Sequence, residues 1–232
     1  MAIAGYVEKD ARVADIGTDH GYLPAYLAQS GLALNIIASD INAGSINTAQ
    51  NTAKKSGVDD RITFIVAPGL SGIDGLETDT IVLSGMGGET ITKILSQAPW
   101  TKHRGVRMIL QPQTKADWLC AWLRENGYAI PDAKLTRDKG RLYIVMLAQG
   151  RALGINGITN SGDPWVELLS LLAGKGDPHF PEYIGWLITK TLSAAQGLKQ
   201  SGAAGYSDMA KRLEDLMIIG GKYKYDDRQQ RT

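Results

Sequence analysis

The sequence predicts an α/β fold, a mostly parallel sheet with an antiparallel last strand, extended by a C-terminal α-helical hairpin. Three observations carry this. Short β-rich runs alternate with helical stretches between residues 12 and 148. The runs are apolar throughout instead of alternating, as strands buried on both faces are. Beyond residue 163 only helical periodicity remains.

Taken in order, strands are expected at 12–16 (RVADI), 34–39 (LNIIAS), 62–66 (ITFIV), 80–84 (TIVLS), 106–111 (VRMILQ) and 141–148 (RLYIVMLA). Helices fall between them, in YLPAYLAQ, SINTAQNTAKKS, ETITKILSQA and ADWLCAWLRENG. The last carries Trp118, Leu119, Trp122 and Leu123 at the 3–4 spacing of a buried stripe, so both tryptophans and Cys120 are read as core. The final strand follows a short polar connection, KLTRDKG, and not a helix, so it is expected to join the sheet antiparallel. Residues 150–163, rich in Gly, Asn and Ser, read as a linker between a domain at 1–150 and a helical one at 151–232. In the latter, Ile184, Leu187, Ile188, Leu192, Ala195 and Leu198 make one apolar stripe. Tyr206, Met209, Leu213 and Leu216 make a second with coiled-coil spacing, after a turn at Gly202 and Gly205. The tail YKYDDRQQRT is expected to fray.

Composition excludes several classes. Of 232 residues, 44% are hydrophobic and 21% charged, which is ordinary globular usage. Lys+Arg 25 against Asp+Glu 24 rules out an overall basic coat while leaving room for a local basic patch. One cysteine excludes an intramolecular disulfide, and His103 and His179 have no partners at metal-ligand spacing, so no metal is expected. MAIAGYVEKD lacks a basic-then-apolar leader, and no apolar run approaches the roughly 20 residues that span a bilayer. A cytoplasmic protein without membrane contact is the expectation.

The sharpest motif is VADIGTDHGYLP (13–24), a strand running through a glycine-bounded turn into a helix. In open α/β sheets, ligands meet the chain at this turn. A dinucleotide fingerprint needs a glycine where backbone touches pyrophosphate, and this loop has Asp19 there instead. A carboxylate would repel a diphosphate, which counts against an NAD-dependent oxidoreductase. Asp15 and Asp19 together suit a cofactor that is cationic at this point, such as the sulfonium and ammonium of S-adenosylmethionine. Asp40, 19 residues after Gly21, is placed to accept hydrogen bonds from ribose hydroxyls, with Ile41 beside it, or to cap the next helix. After the fourth strand comes SGMGG (84–88), whose glycines let another group approach the backbone, and after the fifth Gln111-Pro112-Gln113. No Asn/Asp-Pro-Pro-aromatic run is present to hold an exocyclic amine, so that acceptor is disfavoured.

VADIGTDHGYLP, SGMGG, LQPQ and RLYIVML, in this order and spacing, resemble the bacterial TrmK family of tRNA (adenine(22)-N1)-methyltransferases. The resemblance covers residues 1–150 by motif and 160–222 as a matching helical appendage. It implies a Rossmann-like class I methyltransferase domain with a C-terminal coiled-coil-like pair, S-adenosylmethionine as cofactor, and N1 of a tRNA adenine as acceptor. It matches Asp15, Gly17, Asp19, His20 and Gly21 to the family's first cofactor loop, Asp40 to its ribose-binding acid and Gly85 to Gly88 to its loop at the methyl-transfer edge; with these, Thr18, Ile41, Gly69 and Gly85 are expected at the cofactor, and Met86, Gly87, Gly88, Pro112 and Tyr22 at the substrate. Two departures stand out: Ala67-Pro68 precedes Gly69-Leu70 where the family has Gly-Asp, and Gln113 replaces an asparagine.

Adenine N1 has a lone pair and no proton to lose, so positioning dominates over base catalysis. Asp19 is the expected stabiliser of the cationic product, with Gln111 and Gln113 as amide partners of the base edge and Tyr22 as a stacking surface. The base must be unpaired or flipped. Phosphate contacts are expected from Lys102, His103, Arg104 and Arg107, and from Lys134, Arg137, Lys139 and Arg141. The 151–232 segment, with ten Lys/Arg and nine Asp/Glu, is not basic overall. A monomer and a homodimer are both compatible with the sequence. Competing readings are methylation of another RNA nitrogen or of a small molecule, and a non-catalytic RNA-binding module on a vestigial fold.

Overall fold

The structure, a computed structural model, describes residues 2–73, 78–103, 105–151 and 162–222. The strands are β1 (Ala11–Ile16), β2 (Ala33–Asp40), β3 (Ile62–Val66), β4 (Thr80–Gly87), β5 (Arg107–Thr114), β6 (Tyr128–Asp138) and β7 (Arg141–Gly150). They form one sheet in the order β3-β2-β1-β4-β5-β7-β6. All neighbours are parallel except β5–β7 and β7–β6. The helices are α1 (Tyr22–Ser30), α2 (Ala43–Lys55), α3 (Gly88–Ser96), α4 (Ala116–Glu125), α5 (Pro164–Gly174), α6 (Phe180–Ser201) and α7 (Tyr206–Lys222).

The apolar central strands are explained by layers on both sides. Val13, Val82 and Ile109 pack with Leu27 and Ala28 of α1 and Ala53 of α2. Their neighbours Ala14, Ile81, Leu83, Met108 and Leu110 point the other way, onto Ile91 and Leu95 of α3 and Leu119 and Leu123 of α4. Because β1 is followed outward by β2 and β3 but flanked on its other side by β4, the winding reverses between β1 and β4. Their following loops diverge there and leave a crevice.

The antiparallel last strand is present, but the sheet has seven strands where the sequence predicts six. Tyr128–Asp138, of which only 134–138 was expected as part of the polar connection KLTRDKG, is the edge strand β6, paired with β7 from Asp138↔Arg141 to Tyr128↔Gly150. Pro131 lies in its register irregularity between Ala129 and Asp132, as proline in an edge strand must, and its exposed charged positions hide the alternation of buried Ala133 and Leu135. A second unpredicted element is α5. Asp163 caps it, its carboxylate accepting from the Trp165 N–H at 2.8 Å, Pro164 opens its first turn, and Trp165, Leu168, Leu169 and Leu172 are buried.

The two long C-terminal helices form the expected antiparallel pair, turned at Gly202 (φ 65°) and Gly205 (φ 95°). Leu216, Ile184 and Ala195 are buried in it, while Leu192 and Tyr206, both placed on the predicted stripes, are largely exposed. Trp118 corrects the core reading of the α4 stripe: it is 43% exposed, because α5 covers α4 only on the Leu119–Leu123 side. Cys120 is fully buried as expected, and burial pushes its thiol pKa up. The expected frayed tail and most of the 150–163 linker lie outside the described residues.

Residues of α5, α6 and α7 share one apolar cluster with the second face of the sheet. Leu168→Ala is therefore expected to destabilise the whole protein by about 2–5 kcal/mol in urea unfolding, within a single transition that Leu110→Ala also shifts. Leu192→Ala should change the midpoint little. A separate transition for Leu168→Ala would show that the helices unfold on their own.

Candidate active site

The crevice between β1 and β4 opens into a cavity of about 330 Å³ lined by Asp15, Gly17, Thr18, Asp19, His20, Tyr22, Leu23, Ser84, Gly85 and Gln113. Its floor is set by backbone geometry. The chain leaves β1 through Gly17 in the left-handed region (φ 71°), and the N–H groups of Gly17 and Thr18 both donate to the Ser39 carbonyl at 2.8 and 3.0 Å. Asp19 is also left-handed (φ 49°), a strained conformation for a residue with a side chain. Its N–H donates to Asp40 Oδ2 at 3.2 Å. Gly21 ends the turn at φ 68°, where a Cβ would stand 2.7 Å from Ala49 Cβ.

Asp15 is buried at the base, with 4% of its surface exposed. Burial raises its carboxyl pKa to about 6; the Thr18 hydroxyl opposes the shift and the Asp40 charge adds to it. The Thr18 and Ser39 hydroxyls are buried without a full hydrogen-bond partner. A buried carboxylate lacking a counter-charge, with the Thr18 hydroxyl beside it, is what a ligand with positive charge and hydrogen-bond donors would complete.

Asp19 stands at the mouth, its carboxylate 71% exposed and 3.5 Å from His20 Nε2. His20 stacks on Tyr22, ring centroids 5.5 Å apart, and Tyr22 is itself 71% exposed. Asp40 sits at the end of β2 with one oxygen engaged by Asp19 N–H and the other by Asn42 N–H at 2.8 Å, so it ties two loops together. Each oxygen retains a lone pair for a hydroxyl. Ile41 beside it is 73% exposed and does not line the cavity.

The glycines of SGMGG divide by function. Gly85 (φ 76°) faces the cavity near Gln113. Gly88 does not: a Cβ there would lie 2.5 Å from the Lys115 carbonyl oxygen, and at Gly87 one would lie 3.2 Å from Thr114 Oγ1. Their small size serves packing of the β4 end against the β5–α4 turn. Met86 reaches back over Gly17, where a Cβ would stand 2.4 Å from its Cε. The Gln111 reading is corrected: it is buried, and its Oε1 accepts from the Gly85 N–H at 2.8 Å, so it holds the loop and does not face the cavity. Gln113, two residues on, is exposed and does face it. Pro112 is buried beneath. Gly69 packs on Ile94 of α3, with 3.2 Å to a notional Cβ, away from the cavity.

Of the expected phosphate contacts, Arg137 is bound to Glu182, Arg107 to Glu8 at 2.9 Å, and Lys134 lies over the Tyr6 ring at 4.1 Å. Arg104 lies outside the described residues. Leu23 and Ser84 line the cavity within the two motifs read from the sequence, although neither was given a role of its own. No group of three or more His, Cys, Asp or Glu residues at metal-holding distance occurs among the described residues. No helix among them is long and apolar enough to cross a membrane.

The sequence profile of the methyltransferase domain matches residues 1–146. The tRNA (adenine(22)-N(1))-methyltransferase of Bacillus subtilis is 34% identical over 149 residues, 64% of this chain and 63% of that protein, so the match spans less than two thirds of the relative. Among solved structures, a NADB-Rossmann superfamily protein from Streptococcus agalactiae superimposes with a TM-score of 0.81 at 27% identity, covering 94% of each chain. The Bacillus subtilis tRNA methyltransferase TrmK gives 0.77 at 27%, covering 94% of this chain and 96% of that one.

A pH dependence follows from Asp15. Its pKa is raised on folding, so the native state binds the proton more tightly than the unfolded chain, and stability from this group falls as pH climbs from about 4 to about 6. In urea unfolding of the ligand-free protein, Asp15→Asn should gain on the wild type by on the order of 2–3 kcal/mol between pH 4 and pH 7.5. A difference that does not vary with pH would mean that Asp15 carries no burial penalty.

Proposed function

Because the chain belongs to the methyltransferase domain family, we propose that it methylates N1 of an adenine in tRNA with S-adenosylmethionine as donor. The target is position 22, the nucleotide named for the Bacillus subtilis relative. The observation that carries the donor is the lining of the β1–β4 cavity: a buried carboxylate, the Thr18 hydroxyl beside it, a second carboxylate at the mouth, and no lysine or arginine. Such a lining favours a ligand bearing positive charge over a diphosphate.

When bound, S-adenosylmethionine supplies a methyl carbon activated by its positively charged sulfur. The N1 lone pair forms the new N–C bond while the C–S bond breaks, its electron pair passing to sulfur, and the base is left cationic. No proton has to move. The chain supplies position and charge. Asp15 and Thr18 take the donor groups of the cofactor, and Asp40 takes ribose hydroxyls with its remaining lone pairs. Asp19, exposed and anionic at the mouth, faces the positive charge developing on the ring. The Gln113 amide meets the base edge, Tyr22 offers a stacking face, and Gln111 acts indirectly by fixing Gly85. The base must leave its stack to reach this mouth.

In this division of labour residues 1–150 hold the cofactor and the reacting atoms, and residues 151–232 contribute to holding RNA. An enzyme acting on tRNA belongs in the cytoplasm.

Unmodified tRNA incubated with methyl-labelled S-adenosylmethionine should yield labelled 1-methyladenosine on nucleoside mass spectrometry. Asp19→Asn should lower kcat on the order of 10²-fold while cofactor affinity, read by calorimetry, falls far less. Label in another nucleoside would move the acceptor atom; absence of cofactor binding would overturn the reading.

A further inference from the structure

A second and larger cavity, about 800 Å³, lies between the β6–β7 hairpin, the start of α4 and the α6–α7 pair. It meets the active-site cavity at Gln113, which lines both. Its charges do not balance. Asp117 is taken by Arg212 at 2.6 Å, and Glu182 by Arg137 at 3.0 Å from outside the cavity. Arg141 and Lys190 also line it, and neither has a carboxylate partner among the described residues. Trp186 is 52% exposed on its wall, with Lys190 Nζ 5.0 Å from its ring centroid and the Tyr183 ring 5.8 Å away.

An open indole beside two unpaired cations is the combination that holds single-stranded nucleic acid, the ring stacking a base and the cations meeting its phosphates. We propose that this groove binds an unpaired nucleotide of the RNA next to the target adenine, its base on Trp186 and its phosphates on Arg141 and Lys190. The proposal rests on the methyltransferase reading for the identity of the RNA, and the shared Gln113 explains how a neighbour held here delivers the target to the mouth. A base inside a duplex has both faces taken by its stacked neighbours, so stacking on Trp186 favours an unstacked base. The groove thus selects a locally unpaired strand, a requirement that the small active-site cavity does not impose on the rest of the RNA.

The test uses the full chain and compares Arg141→Ala/Lys190→Ala, Trp186→Ala and Trp186→Phe with the wild type. The double variant should raise KM for tRNA about tenfold or more with kcat nearly kept, and reduce the salt slope for binding a single-stranded oligoribonucleotide by about 1.4, for two phosphates lost. Trp186→Ala should weaken oligoribonucleotide binding, and Trp186→Phe should restore most of it. S-adenosylmethionine affinity and the urea midpoint should be unchanged in all three. An unchanged KM and salt slope would overturn the groove, as would equal losses in cofactor affinity. If the wild type methylates no tRNA yet binds the oligoribonucleotide through Trp186 and the two cations, the groove stands and the activity reading falls. If methylation proceeds with a normal KM in every variant, the reverse holds.

Discussion

Two backbone donors on one acceptor hold the site together. Gly17 and Thr18 both give their N–H groups to the Ser39 carbonyl, which ties the loop after β1 to the end of β2. That tie fixes one wall of the crevice that the reversal of winding between β1 and β4 opens. Asp40 reinforces it by accepting from Asp19, and on the opposite wall Gln111 fixes Gly85 through a single hydrogen bond. Left-handed backbone at Gly17, Asp19 and Gly21, every second residue, is what lets the chain turn within this space.

The walls so fixed surround a carboxylate in an energetically poor place. Asp15 is desolvated by the strands that carry it, faces the charge of Asp40, and has only the Thr18 hydroxyl as relief. The unfavourable interaction is offset when a cation or a set of donors arrives, so binding energy is stored in the folded state as a cavity needing a ligand of particular charge. Packing elsewhere supports this. The core beneath the second sheet face continues into α5, α6 and α7, which lets the fold carry a strained loop and an uncompensated charge at its edge.

The same continuity explains why the helical segment stands where it does. The C-terminal pair is not a freely attached arm: α5 anchors on β6 and α4, and Arg212 of α7 reaches Asp117 of α4. The large groove is the gap left between these anchored surfaces. Gln113 lines both this groove and the β1–β4 cavity, so the two adjoin at that residue.

Sequence by itself determined the parallel core, helices α1 to α4, the antiparallel closing strand and the C-terminal pair, because each depends on local periodicity and on Gly or Asn at a turn. It also pointed to Asp15 at the end of β1, Asp19 in the turn after it and Asp40 at the end of β2, since a carboxylate where a dinucleotide site needs glycine is a local chemical statement. Only the tertiary structure decided the rest. β6 is an edge strand whose outward charges and Pro131 erase the alternation, and it becomes a strand through β7. Gln111 and Gln113 look equivalent in the chain and share one face of β5, yet the first is buried against the Gly85 N–H while the second, beside the register irregularity at Met86 and Gly87, is exposed at the mouth. Gly88 resembles a ligand-binding glycine until the Lys115 carbonyl is found against it. Trp118 shares a stripe with Leu119 but faces out. In each case the deciding contact lies far away along the chain, and periodicity carries no information about it.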